Sequence, residues 1–149
     1  MVVALCVRRL ALVCALGSTL WACGGGDDDD DLSCVENLPT TCTPAFTPAW
    51  AGVYQNVIMP SCGAAGTSCH GAEGKQGNLE LSSSSGAYAA LLGKDGTRAR
   101  VIPNDPSCSI LMERVMSTDD TKRMPQGLPA LSAAKICAIQ QWIEQGAAP

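Results

Sequence analysis

Apolar residues recur at Trp50, Val53, Tyr54, Val57 and Ile58, in steps of three and four that lay one hydrophobic face along a helix. Thr47 and Pro48 just ahead supply an N-cap and a first-turn proline, so this helix is predicted to open there. Pro60 is predicted to stop it and deliver the chain to Cys62. The same spacing returns in Ile136, Ile139, Trp142 and Ile143, giving a last helix over residues 132–145 that Gly146 ends. Two shorter helices are expected between them. One covers residues 87–92, stops at Gly93 and is followed by an Asp95-Gly96 turn; the other starts with Asp105 as N-cap and Pro106 in the first turn, and buries Ile110, Leu111 and Val115. Leu79 and Leu81 alternate with polar neighbours only briefly. With no sustained two-residue period and no repeat, the predicted fold is all-α: about four short helices joined by long loops, over residues 49–149. Long loops around short helices are what a chain wrapping a cofactor requires.

The first 48 residues read differently. Arg8 and Arg9 precede an apolar run over residues 10–20, too short for a permanent membrane span, so residues 1–22 are predicted to be an export signal. Leu20-Trp21-Ala22-Cys23 resembles the lipobox of bacterial lipoproteins, which implies cleavage before Cys23 and acylation of that residue; an ordinary cleaved signal with a free Cys23 thiol is the alternative. Gly24 follows Cys23 in place of the aspartate that marks inner-membrane retention, so the outer membrane is preferred. Residues 23–48 then form a tether. Three glycines and five aspartates bury nothing and repel one another into an extended spacer, and Cys34 and Cys42, set among Pro39, Pro44 and Pro48, are predicted to close a small loop as a Cys34–Cys42 disulfide.

Charge and composition narrow the function. The formal net charge is −4, but from residue 32 onward nine acids face eight bases, which argues against a nucleic-acid partner. Three Trp, two Tyr and one Phe make a thin core for a chain of this length, which a bound cofactor or several disulfides would supplement. Nine cysteines point to an oxidising compartment.

The chemistry gathers at Cys62-Gly63-Ala64-Ala65-Gly66-Thr67-Ser68-Cys69-His70-Gly71. His70 is the only histidine, and a Cys-His pair with a second cysteine upstream is how a c-type haem is held: sulfur bonds a vinyl carbon, and the next imidazole lies beneath the iron. The usual spacing is C-x-x-C-H, whereas six residues separate these cysteines. Gly63 and Gly66 tolerate the dihedrals of a bulge. Three outcomes stay open: both cysteines bond haem, Cys69 alone does, or the two form a disulfide with no haem. Six cysteines remain outside the signal segment and Cys23, enough for three disulfides or for two plus a doubly attached haem, so double attachment ranks above single. In either haem arrangement a Cys108–Cys137 disulfide is expected to staple the last two helices. A zinc site on Cys62, Cys69 and His70 would need a fourth ligand from cysteines that an oxidising compartment consumes.

Several blocks in order carry a family resemblance. Cys69-His70-Gly71 with Lys75-Gln76-Gly77-Asn78-Leu79-Glu80-Leu81 resembles the haem-attachment region of planctomycete-type cytochrome c domains. Val101-Ile102-Pro103-Asn104-Asp105-Pro106-Ser107-Cys108-Ser109-Ile110-Leu111 resembles their V-x-P-G-x-P-x-x-S-x-L segment, with Asn104 where glycine is usual. Arg123-Met124-Pro125-Gln126 resembles their Met-Pro-Pro step, and Trp142-Ile143-Glu144-Gln145-Gly146-Ala147 their closing helix end. The resemblance covers residues 50–148 and implies a small c-type cytochrome fold carrying one covalent haem c. It makes Cys69 a thioether position, His70 the proximal iron ligand and Met124 the distal one; the even cysteine count adds Cys62 as the second thioether position. A soft thioether favours ferrous iron, and Met124 lies in a polar loop, a poor place for core filler. Met59 reads as packing. Arg98, Arg100, Lys122 and Arg123 either hold the haem propionates or form surface charge.

The implied function is a membrane-tethered monohaem cytochrome that passes single electrons between periplasmic or membrane redox proteins. It is an electron carrier rather than an enzyme, with no nucleophile elbow and with Met124 closing the iron's sixth position. It faces the periplasm on a lipid anchor; oligomeric state is left open. The alternative is a haem-free, disulfide-stapled lipoprotein serving as a structural or interaction module.

Overall fold

The computed structural model describes residues 34–64 and 69–149; the segment expected to be an export signal, Cys23, the aspartate run and residues 65–68 lie outside the described residues. The first helical run consists of α1 (Trp50–Val53), a π-helical turn (Tyr54–Ile58) and α2 (Met59–Ser61). It opens at Trp50 behind an Ala49 that makes no side-chain cap, so Thr47 is not the N-cap. Nor does Pro60 stop it. A proline lacks the N–H that a helix uses and crowds the preceding turn, and here that turn is widened to π, with Met59 N–H on the Tyr54 carbonyl. The ladder ends two residues after Pro60, where the N–H groups of Cys62 and Gly63 both donate to Ile58 O, at 3.0 and 2.9 Å.

Beyond a short 3₁₀ turn (Gln76–Asn78) come α3 (Ser84–Leu91), a two-stranded antiparallel hairpin of β1 (Lys94–Asp95) and β2 (Arg98–Ala99), α4 (Ile110–Met116) and α5 (Ala133–Glu144). The protein is therefore mostly helical but not all-α. Strands of two residues are too short to leave a period in the sequence, and the turn residue Gly96, at φ +56°, was their one sign. The helix expected from Asp105 begins later, at Ile110 behind Ser109. Asp105 instead closes the turn before it: its carboxylate accepts from Ser107 Oγ at 2.7 Å and Cys108 N–H at 3.1 Å. These two bonds, Ser107 first, hold its pKa below the usual carboxylate value.

The core joins the first helical run, α3, α4 and α5 through Trp50, Val53, Val57, Leu91, Met112, Val115, Ile139, Trp142 and Ile143. Trp50 lies 5.3 Å from Trp142 and 5.4 Å edge-on from Tyr88, centroid to centroid. Each ring's polar tip is satisfied: Trp50 Nε1 donates to Ser84 Oγ, Trp142 Nε1 to Ala148 O and Tyr88 OH to Ala147 O. The last two acceptors are set by the chain reversal at Gly146 (φ +94°) and Ala147 (φ +50°). Asn104, at the position where glycine was expected, has φ +69°, and its N–H donates to the Ile143 carbonyl at 2.8 Å. Asparagine is among the few residues that tolerate this left-handed region, which explains the exchange.

The expected disulfides are corrected. Cys34 pairs with Cys108 and Cys42 with Cys137, not Cys34 with Cys42 and Cys108 with Cys137. The segment over residues 34–48 does not fold on itself because its backbone is bonded to the body. Val35 N–H donates to Ser107 O and Ala45 N–H to Ala134 O, while Gln140 Nε2 reaches Pro39 O. Each cysteine of this strap therefore meets one of the body. No helix among the described residues is long and apolar enough to cross a membrane.

The bridges span 74 and 95 residues of sequence, so each restricts a large loop in the unfolded chain. Replacing Cys42 and Cys137 together by serine is expected to cost about 2–4 kcal/mol in denaturant unfolding. Non-reducing peptide maps should link residue 34 to 108 and 42 to 137; a 34–42 fragment would contradict this pairing.

Candidate functional site

The four residues singled out from sequence line one cavity. Cys62, Cys69, His70 and Met124 all border a space of about 570 Å³ whose walls are otherwise mainly aliphatic: Ile58, Leu79, Leu81, Leu91, Ile110, Leu111 and Val115. That volume lies within the range of small-molecule and cofactor sites.

Cys62 arrives at the C-terminal end of α2, fixed by its N–H on Ile58 O. His70 N–H donates to the Cys62 carbonyl at 3.3 Å. This bond pinches the base of the loop. Six intervening residues therefore do not keep the two cysteines apart as their number implies; Cys62 and Cys69 border the same space. On the far side His70 O accepts from Leu81 N–H at 2.7 Å, and Cys69 O from Gln76 N–H at 2.8 Å, which lock the Cys69-His70 pair in place. Gly63 is required at the pinch because a Cβ there would run into the Leu81 carbonyl.

Both Cys62 and Cys69 are free thiols. Burial, and secondarily Cys69, pushes the Cys62 thiol up to about 11 from an ordinary 9.0. His70 Nδ1 is buried and finds no hydrogen-bond partner among the described residues. A buried polar nitrogen without a partner is costly, and a bound group that engages the imidazole would relieve that cost.

Met124 comes from the loop between α4 and α5. Its N–H donates to Arg114 O on α4 at 2.9 Å. Arg123 steadies the same loop through Asp120 at 2.7 Å and through the Leu128 carbonyl at 3.1 Å. Met59, read as packing, is instead 44% exposed and does not border the cavity.

Of the four cations named from sequence, only Arg100 lines the cavity. Arg123 is committed to Asp120, and Arg98 lies 2.7 Å from Glu113, a charge contact poorly angled for a hydrogen bond. Arg114 lines the cavity and was missed. Its signal was available: on a helix it stands four residues after Ile110 and three after Leu111, on the face those residues define. Among the described residues no group of three or more His, Cys, Asp or Glu is arranged to hold a metal ion, so the zinc reading lacks its ligand set.

The lining combines an aliphatic wall with two thiols, one imidazole and one thioether, a donor set that suits an apolar group carrying a soft metal. In an imported porphyrin site, Cys62 and Cys69 would hold the ring edge, and His70 and Met124 the iron.

A family model described as Planctomycete cytochrome C matches residues 67–126, a stretch that includes Cys69, His70 and Met124 and leaves Cys62 outside. No curated protein and no solved structure matches the chain.

The Cys62 shift gives a pH dependence. A buried thiol with a raised pKa keeps its proton in the folded chain while the unfolded chain loses it, so this contribution to stability is complete below pH 9 and falls as pH rises towards 11. In haem-free protein, alkylation of Cys62 should stay slow at pH 8 and accelerate towards pH 11, as followed by peptide mass. Fast alkylation at pH 8 would show an exposed thiol.

Proposed function

We propose that this chain, which carries a planctomycete-type cytochrome c domain over residues 67–126, is a monohaem electron carrier held to a membrane by a lipid on Cys23. The family-model match over residues 67–126 supports a redox role. What carries the finer reading is one observation: two free thiols, the sole imidazole with a buried unpartnered nitrogen, and a loop methionine all face a single aliphatic cavity.

The residues divide the work. Cys62 and Cys69 would fix the porphyrin edge as thioethers, which makes loss of the group a covalent event. His70, held between Cys62 O and Leu81 N–H, would present its imidazole in one orientation. Met124, whose backbone is fastened to α4, would supply the second ligand to the iron and keep small ligands from it. The aliphatic wall excludes water and lowers the local dielectric, which favours the less charged state of a bound centre. A c-type haem held there supplies a one-electron ferric–ferrous couple, and His/Met ligation raises its potential. The lipobox-like Cys23 and the glycine–aspartate tether support export and anchoring, with the periplasm as the place of work and an outer-membrane site preferred from Gly24. Partners would be periplasmic or membrane redox proteins.

A second reading is supported by the two disulfides and the strap they fasten: a haem-free stapled lipoprotein acting as an interaction module. Intact mass separates the two, because a porphyrin adds its own mass whereas a third disulfide removes two hydrogens.

The test is protein produced with a haem-attachment pathway and examined by visible spectroscopy. Wild type should show a reduced c-type band. His70→Ala should lose the native spectrum, and Met124→Ala should keep the haem, bind small ligands and fall in potential by on the order of 0.1 V, within the ~0.8 V that axial ligands span. Colourless wild-type protein would overturn the proposal; an unchanged Met124→Ala spectrum would remove Met124 from the site.

A further inference from the structure

The cavity wall is not uniformly aliphatic. The titratable groups that border it are Cys62, Cys69, His70, Asp95, Arg100 and Arg114. Elsewhere in the described body three cations are matched to carboxylates: Lys75 with Glu80, Arg98 with Glu113 and Arg123 with Asp120. The two at the cavity are not. Arg100 spends its guanidinium on two long contacts with neutral carbonyls, Ala90 O at 3.3 Å and Gly77 O at 3.4 Å. The Arg114 guanidinium, half-buried, has no hydrogen-bond or ion-pair partner among the described residues.

A half-buried guanidinium without an acceptor is an unfavourable arrangement unless something brings one. One such group is ordinary. Two on the same apolar cavity, against the single carboxylate of Asp95, leave the site with an uncompensated positive charge. Their placement is also linked: Leu111 N–H donates to Arg100 O at 2.9 Å, and Arg114 follows Leu111 by one helical turn. Both side chains therefore rise from one seam, where the chain after β2 is bonded to α4. Guanidinium is the side chain best matched to carboxylate, through two parallel N–H donors.

We propose that Arg114 and Arg100 form the carboxylate-binding end of this cavity and take the two propionate groups of the porphyrin. Arg114 does so from the residue whose carbonyl also holds Met124 N–H. The inference rests on the haem reading above and adds to it the residues that orient the ring. Thioethers pin one edge and the guanidinia take the acidic one, so the ring is admitted in a single orientation. Arg114 further ties the acidic edge to the loop that carries Met124, so a ring seated at Arg114 draws that loop into register. The residues named from sequence as candidates for this role, Arg98 and Arg123, are already neutralised and take no part; Lys122 does not border the cavity.

Metal-free mesoporphyrin and its dimethyl ester separate charge recognition from iron chemistry, because the ester keeps the ring and removes both carboxylates. Each is titrated into the full chain purified without haem, and binding is followed by porphyrin fluorescence. Wild type should prefer the diacid. Arg114→Gln and Arg100→Gln should each cut that preference about tenfold while leaving ester affinity unchanged, the size expected for one charged hydrogen-bonding partner at a part-exposed site. Arg114→Lys should keep most of it. Equal affinity of wild type for the two porphyrins, no binding of either, or a preference unchanged in both glutamine variants would overturn the proposal. Parallel loss of diacid and ester affinity in both would show a purely structural role and overturn it as well. Failure here with a haem band present in matured protein removes only the arginines; absence of that band removes the haem reading itself.

Discussion

The hydrogen bond from His70 N–H to the Cys62 carbonyl is the constraint on which the site depends. It converts a sequence separation that looks too wide into a local contact. Without it Cys62 would belong to the end of a helix and Cys69-His70 to a surface loop, with no reason to share a cavity. The neighbouring bonds, Cys62 and Gly63 N–H on Ile58 O and Leu81 N–H on His70 O, make that pinch one element of a short network rather than an isolated contact. The space beside Leu81 admits a glycine at position 63 and nothing larger, so the backbone comes close enough for the network to form.

The rest of the fold supplies a rigid platform for this pinch. Trp50 and Trp142 carry much of the aromatic surface in a chain that has only six aromatic residues, and they bind the first helical run to the last. A core this small gains from cross-links, and the two disulfides draw the strap over residues 34–48 onto the regions of α4 and α5. Neither bridge touches the cavity. The sulfurs are thus segregated: Cys34, Cys42, Cys108 and Cys137 are paired away from the cavity, while the free Cys62 and Cys69 border it.

Much of the site was legible because its residue types are distinctive. A single histidine next to a cysteine, and a methionine before proline in a polar loop, stand out without any structure. The last helix was legible as well, since Ile136 to Ile143 keep the helical period and Gly146 marks the stop. What stayed hidden depended on chain direction rather than residue type. Whether Cys34 meets Cys42 or Cys108 is decided by Val35 and Ala45 bonding to the body, which spacing does not encode. Pro60 misled because a π turn absorbed it, and Asp105 because its carboxylate closed a turn instead of opening a helix. Arg114 was hidden because a lone cation on a short helix reads as surface charge, whereas its position on the Ile110–Leu111 face of α4 puts it at the cavity.

The central claim is that the pinched loop presents both thiols to one guest. Mass mapping of a proteolytic fragment spanning residues 62–70, taken from protein matured with haem attachment, tests this most directly. The account requires one porphyrin bonded to both Cys62 and Cys69 in that fragment. A Cys62–Cys69 disulfide with no porphyrin would contradict it.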